Sequence, residues 1–455
     1  MDRSKLYQEV YRPQFHFTAK KNWLNDPNGL VYYQGEYHLF FQHNPSGINW
    51  ANTIVWGHAV SSDMVNWKQL ANAIEPDELG AIWSGSGVVD WDNTAGFQSG
   101  KEAAMVNIYT SAGKPFTQSI AYSNDRGRTW RKYEKNPVLG HIIGTNRDPK
   151  VIWHASSKRW VMALYLDGNN YALFSSPNLK QWTRLCDIQL PGSSECPDIF
   201  ELPVDGDTEN SKWVFWGANG NYIIGTFDGR AFRRESEVLQ SDGGANFYAA
   251  QTWSDVPTSD GRRLQITWMR DGKYPGMPFN QQMSFPCQLT LQTTPEGILL
   301  YRQPIKEIKN IHKKEYYWNN QVLKPGENLL SDVQGELFHI QTEIEVESAA
   351  EFGFILHGES IRYTASNNEL FCLGKSASLR PIQGKIKLEI LLDRTSLEIF
   401  GNHGRISMSS CFLPDSRNRN LKIYSSGGSI RILSLKVYEL GSIWSESELQ
   451  EADNG

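Results

Sequence analysis

With 455 residues, 40% hydrophobic and 21% charged, the chain has the composition of a soluble globular protein with ample material for a core, and its length predicts more than one domain. The formal charge of −5, and Lys20-Lys21 and Lys313-Lys314 pairs that form no basic stripe, argue against a nucleic-acid partner. No apolar run approaches the roughly 18–20 residues of a membrane span. Cys186, Cys196, Cys287, Cys372 and Cys411 are scattered, odd in number and without C-x-x-C spacing, so neither a disulfide framework nor a zinc site is expected. No cofactor is expected. The opening MDRSKLYQEV lacks an apolar signal region, so the expected location is cytoplasmic, or extracellular or periplasmic if an export signal has been removed. Oligomeric state cannot be read from the chain.

In chain order, nearly every element reads as a strand. NWLNDPNGL (22–30) sets Asn25 and Asp26 against Pro27-Asn28-Gly29, which reads as a tight β-turn because proline pre-sets φ and Asn-Gly tolerates positive φ. Alternating or short apolar runs follow: LVYYQGEYHLFFQ, RWVMALYL, KWVFWGAN and RRLQITWM. Between them a unit recurs, a strand, a polar turn and an aromatic. It ends at Trp67 in AVSSDMVNW, Trp130 in AYSNDRGRTW, Trp182 in LFSSPNLKQW and Phe232 in IGTFDGRAF, at intervals of 63, 52 and 50 residues. That spacing fits propeller blades with loop insertions, the aromatics being blade core. Five polar-entered strands (NDPNGLVYY, WSGSGVVD, NRDPKVIWH, ECPDIFELP and NFYAAQTWSD) predict five blades over residues 11–305. Residues 306–324 read as an irregular or short helical connector, and 325–442 as a β-sandwich. The expected fold is thus all-β, a five-bladed propeller followed by a sandwich. The tail SESELQEADNG is expected to fray.

In a propeller the first strands of all blades line one channel, so Asp26, Asp148 and Glu195, each at such a strand start, meet at one mouth. A buried carboxylate cluster is costly unless it is used. Two carboxylates flanking a glycosidic bond are the general recipe for glycoside hydrolysis, and a third can hold sugar hydroxyls. Three acids with Arg147 and abundant aromatics fit a neutral sugar. A calcium site is the competing account, but no D-x-D-x-D loop supports it.

WLNDPNG, WSGS, RDP, ECP, FYAAQTW and DRTSLEIF, in that order, resemble the signature blocks of glycoside hydrolase family 32, the β-fructosidases (invertases, inulinases, levanases). YRPQFHFT and GEYHLFFQHNP are most similar to bacterial levanase-type members. The resemblance implies a small carbohydrate or fructan substrate and retaining release of terminal β-fructofuranosyl units. Asp26 would be the nucleophile, Glu195 the acid then base, and Asp148 the transition-state stabiliser beside Arg147. It also implies a pocket lined by Asn25, Gln42, Trp50, Trp83, Ser84, Tyr248 and Trp268. Cys196 beside Glu195 is expected to raise that acid's pKa by desolvation, or merely to fill space. Departures from the family pattern are Ser194 before ECP, Asn146 before RDP, Asn246 before FYA and Cys287 in FPCQL. All four are expected at the pocket rim, bearing on substrate preference. Rival readings are an endo-levanase or fructosyltransferase on the same triad, an inverting arabinan-type hydrolase, and a carbohydrate-binding propeller without catalysis.

Overall fold

The computed structural model describes residues 6–415 and 418–444; the tail expected to fray lies outside them. The chain is nearly all β. The first four-stranded antiparallel run is Asn22–Tyr33, Glu36–Asn44, Val55–Ser61 and Lys68–Gln69. The second is Ala81–Asp90, Ala104–Ala112, Phe116–Ser123 and Arg131–Lys132, and the third Arg147–His154, Arg159–Asp167, Asn170–Ser176 and Thr183–Gln189. Asp198–Val204, Asp207–Trp216, Asn221–Phe227 and Phe232–Arg234 follow, then Phe247–Thr252, Arg263–Met269, Cys287–Thr294 and Gly297–Pro304. The leading strand of each run packs on that of the next, and Phe247–Thr252 returns to Asn22–Tyr33, closing a ring around a channel. This is a β-propeller.

The recurring turns share one device. Asp63, Asn178 and Asp228 each accept two backbone N–H groups from the residues just ahead, closing an Asx turn. The indoles of Trp130 and Trp182 donate to the carbonyl three residues earlier, at 3.0 and 3.1 Å, which locks each aromatic into its turn. Trp67 is 3% exposed, so its part is core packing.

The C-terminal region is two stacked sheets. One holds, in order, His312–Leu323, Ile430–Leu440, Phe338–Val346, Lys385–Leu392, Ser396–Gly401 and Ile406–Cys411. The other holds Lys375–Ser378, Glu369–Cys372, Glu359–Thr364, Glu351–Leu356 and Leu421–Ser426. Phe338, Phe352, Ile390 and Ile423 fill the space between them, fully buried. The expected connector 306–324 is corrected here: only Lys306–Ile311 is helical, a 3-10 turn, and His312–Leu323 is a full edge strand. HKKEYYWNNQVL hides this because most of its side chains stay exposed, so the apolar alternation of a half-buried strand never develops.

The two regions meet over buried charge. Asp393 and Glu398, from DRTSLEIF, clamp His16 at 2.8 and 2.7 Å, and Asp393 also accepts the amides of Gln14 and Phe15. Arg302 reaches Asp242 at 3.1 Å and Glu398 at 3.7 Å.

Candidate active site

Four of the irregularities in the leading strands fall where they meet the mouth. Pairing slips between Leu24 and Pro27, between Trp83 and Gly85, between Arg147 and Lys150, and between Tyr248 and Gln251. Each irregularity brackets a site position: Asn25 and Asp26, Ser84, Asp148, and the backbone beyond Tyr248. A bulge leaves residues unpaired and re-aims their side chains, which turns these into the channel mouth. Asp148 (φ 63°), Glu195 (φ 60°), Cys196 (φ 37°) and Ala249 (φ 53°) are left-handed without being glycine. Such conformations cost about 1–3 kcal/mol each and gather where geometry serves a site.

The expected turn at Asp26–Gly29 is therefore a correction. Those residues lie inside the continuous strand Asn22–Tyr33. Pro27 sits at the bulge, where a missing N–H is tolerated, and Gly29 takes φ 55° against the Phe40 ring. Asn28 replaces the lost ladder bonds, donating to Asp26 O at 3.2 Å and accepting from Gly85 N at 3.0 Å. The aspartate is still held on a rigid corner, made by a bulge rather than a chain reversal.

Around that corner the three carboxylates come together. Asp26 accepts from Ser84 Oγ and, at 3.1 Å, from Asn25 Nδ2. Asn25 and Ser84 are in turn held by Gln42. Cys196 joins two of the acids: its amide donates to Asp148 at 3.0 Å, and its Sγ lies 3.6 Å from both Asp26 and Asp148. Asp148 N donates to Thr110 Oγ1 at 2.9 Å. Glu195 stands slightly apart, accepting from Tyr248 Oη and from Arg147, whose Nε is also 3.7 Å from Asp148.

Electrostatics divide the three acids. Burial pushes Asp26 upward, against the hydrogen bonds from Ser84 and Asn25. Burial likewise takes Asp148 to about 7, with the charge of Arg147 opposing. Burial acts upward on Glu195 too, but hydrogen bonds from Tyr248 and Arg147, with the charges of Arg147 and Arg270, hold its carboxyl below the usual range. The Glu195 side chain is 30% exposed against 6% for Asp148, so the mouth opens on Glu195. The expected desolvation of Glu195 by Cys196 is not what the structure shows, because that thiol faces the other two acids.

Of the aromatics, Trp50 is 44% exposed at the rim, edge-on to Trp83 at 5.8 Å. Trp83 packs on Phe116, with the Arg147 guanidinium 6.0 Å above its ring. Trp268 is 8% exposed, bonded to Gln281 and edge-on to Tyr248 and Trp23, which makes it the wall behind Tyr248. Sequence reasoning missed Arg270, stacked 4.5 Å over Tyr248, and Tyr165, 4.7 Å under Arg147. Arg270 lay two residues beyond Trp268 on no motif. The departures are mostly not at the rim. Asn246 ties Arg270 O to Cys411 N, Cys287 is fully buried beside the seam, and the buried Asn146 caps the amides of Ile142 and Ile143. Their side chains serve the backbone and the core.

Comparison with known proteins identifies the family. Residues 16–304 match the glycosyl hydrolases family 32 N-terminal domain and 307–439 the family's C-terminal domain. The chain is 42% identical to a levanase of Bacillus subtilis over 97% of its own length and 72% of the levanase. It is 36% identical to a levanase of Bacillus sp. strain L7, of which it spans only 54%. An extracellular exo-inulinase of Aspergillus awamori is 30% identical with 96% of both chains covered, and a solved exo-inulinase structure from that organism superposes at TM-score 0.88 over 96% of this chain and 100% of that one. A propeller with a carboxylate-lined mouth and a sandwich docked beside it is the architecture of a glycoside hydrolase. The chain belongs to glycosyl hydrolase family 32, as an enzyme of the β-fructosidase type.

Proposed function

We propose that the enzyme is an exo-acting, retaining fructan β-fructosidase, with levan as the preferred polymer. The observation that carries the chemistry is the junction at Cys196 and Arg147, which ties Asp26, Asp148 and Glu195 into one cluster, while 42% identity to a Bacillus subtilis levanase supports levan. Asp26, fixed by Asn25 and Ser84, attacks C2 of the terminal fructofuranosyl unit. Glu195 protonates the departing oxygen, and later takes the proton of the water that releases fructose. Asp148 accepts ring hydroxyls and supports positive charge at the anomeric carbon. Arg147 and Tyr248 orient Glu195. Asn25, Gln42, Ser84, Trp83 and Trp268 shape the fructose pocket, while Trp50 meets the sugar beyond the cut.

Proton donation needs Glu195 protonated, yet in the free site its carboxyl is held below the usual range. Substrate resolves this by covering the exposed carboxyl and separating it from water, which raises its pKa in the complex. Exo cutting is supported by the floor of the mouth. Gln251 braces Gly85 O at 3.0 Å and Pro27 O at 3.4 Å beneath Asp26, so the pocket closes below the nucleophile and suits a chain end.

Residues 11–305 form the catalytic propeller in this reading, one blade for each four-strand run, and 325–442 the sandwich. Similarity to an extracellular exo-inulinase supports work outside the cell, on polymer too large to import. No helix of the described residues is long and apolar enough to cross a membrane.

Incubation with levan, inulin and sucrose separately, with early products followed by chromatography, tests the reading. Fructose alone, released fastest from levan, is expected. Early short oligosaccharides would replace it with endo cutting, and longer products from sucrose with fructosyl transfer.

A further inference from the structure

The leading strands carry a second built feature at their other ends. A cavity of about 270 Å³ is lined by Trp153, Ser254, Asp255 and Arg263, with Trp160 and Glu201 among its walls. From Asp148 to Trp153 is five residues along one strand, about 16 Å at ~3.3 Å per residue, so the cavity lies on the propeller face away from the carboxylates.

Its lining mixes a guanidinium, carboxylates and indoles. Arg263 makes one long side-chain bond, Nη1 to Trp253 O at 3.4 Å, and no ion pair among the described residues. Its charge is balanced at longer range by Asp198, Glu201 and Asp255. Asp255 is held in place by Val89 N and by the indole of Trp91, both at 2.8 Å. Trp91 is 58% exposed, and Trp153, edge-on to Trp160 at 5.0 Å, is 37% exposed.

An anion would meet the acids, and a cation would meet Arg263. A neutral polyol suits all of these groups. Adjacent hydroxyls bridge a guanidinium and a carboxylate, and the apolar face of the ring lies on an indole. The volume is at the small end of ligand pockets, which run from about 300 to 1,000 Å³, and so takes one or two sugar rings. We propose that this cavity is a second sugar-binding site that anchors a fructan chain remote from the cut. The choice of fructan rests on the substrate reading above.

The test uses the full chain carrying Asp26→Asn, so that polymer is bound without being consumed, in affinity electrophoresis through gels containing levan or inulin. Trp153→Ala and Glu201→Gln are compared in that background; the glutamine variant keeps the shape of an exposed side chain in the cavity wall and leaves folding intact. Retardation several-fold weaker in both is expected. With Asp26 intact, Trp153→Ala should raise KM on the polymer about threefold or more, with kcat and KM on sucrose unchanged. Equal retardation with and without Trp153→Ala and Glu201→Gln would overturn the site, as would sucrose kinetics that fall in step with those on polymer. Failure of the substrate reading looks different: the parent enzyme would release nothing from levan or inulin, whatever the cavity binds.

Discussion

Two clusters of buried carboxylates sit at opposite ends of this molecule's logic. At the seam between propeller and sandwich, Asp393, Glu398 and Asp242 are matched by His16 and Arg302 and by serine hydroxyls and backbone amides. Burial alone would lower the His16 pKa, but hydrogen bonds to Asp393 and Glu398 and the charges of both raise it to about 9. Asp393 is held below its ordinary value despite burial, chiefly by the hydrogen bond to His16. At the mouth, Asp26 and Asp148 share a thiol and hydroxyl or amide donors, and Arg147 leans mainly on Glu195. There burial wins and both aspartates hold protons more tightly than free carboxylates do. A cluster whose charge is satisfied joins two layers. One whose charge is left unsatisfied is ready to react with something that arrives.

The sharpest way to break this contrast is to neutralise each cluster. Asp26→Asn or Glu195→Gln should lower kcat by at least about 10⁴-fold with the fold intact by circular dichroism, since each removes a bond-making or proton-moving step. Full activity in either variant would sink the assignment of the mouth. At the seam, His16→Ala leaves buried carboxylates unpaired and should destabilise by about 3–5 kcal/mol in denaturant unfolding, while activity per folded molecule is kept. The sign with pH follows from its raised folded pKa. The stability His16 contributes is fully present below the unfolded histidine value of about 6.5, and is lost as pH rises through about 9.

Asp148→Asn should act in the opposite direction on stability. A carboxyl whose pKa rises on folding to about 7 binds its proton better in the native state, so wild-type stability falls as pH climbs from the unfolded value near 3.8 through 7. The asparagine variant should therefore melt a few degrees higher than wild type at pH 8, with the gain vanishing toward pH 4, while losing activity. An unchanged or lower Tm at pH 8 would mean that the mouth is not electrostatically strained. The smallest effect sharpens the role of Glu195. Because its carboxyl is held low in the free site, the alkaline limb of kcat/KM should fall at lower pH than that of kcat. Coincident limbs would show that substrate does not shift it.

Much of this was legible in residue order. The all-β class came from alternation, the repeating blade from polar turns followed by an aromatic at Trp67, Trp130 and Trp182, and the site's acids from polar entries to the leading strands. These are local signals, because a side chain that bonds its own turn, or alternates faces along its own strand, writes its structure within ten residues. The exposed edge strand His312–Leu323 was invisible for the converse reason: only its neighbour Ile430–Leu440 makes it a strand. Asp-Pro-Asn-Gly is a turn by local preference, and only pairing with Glu36–Asn44 drew it into a bulged strand. Protonation, too, belonged to the assembled molecule. Residues 26, 148, 195 and 196 acquire their shifts from burial and from partners on other strands, Ser84, Arg147 and Tyr248 among them, and no window of sequence contains those surroundings.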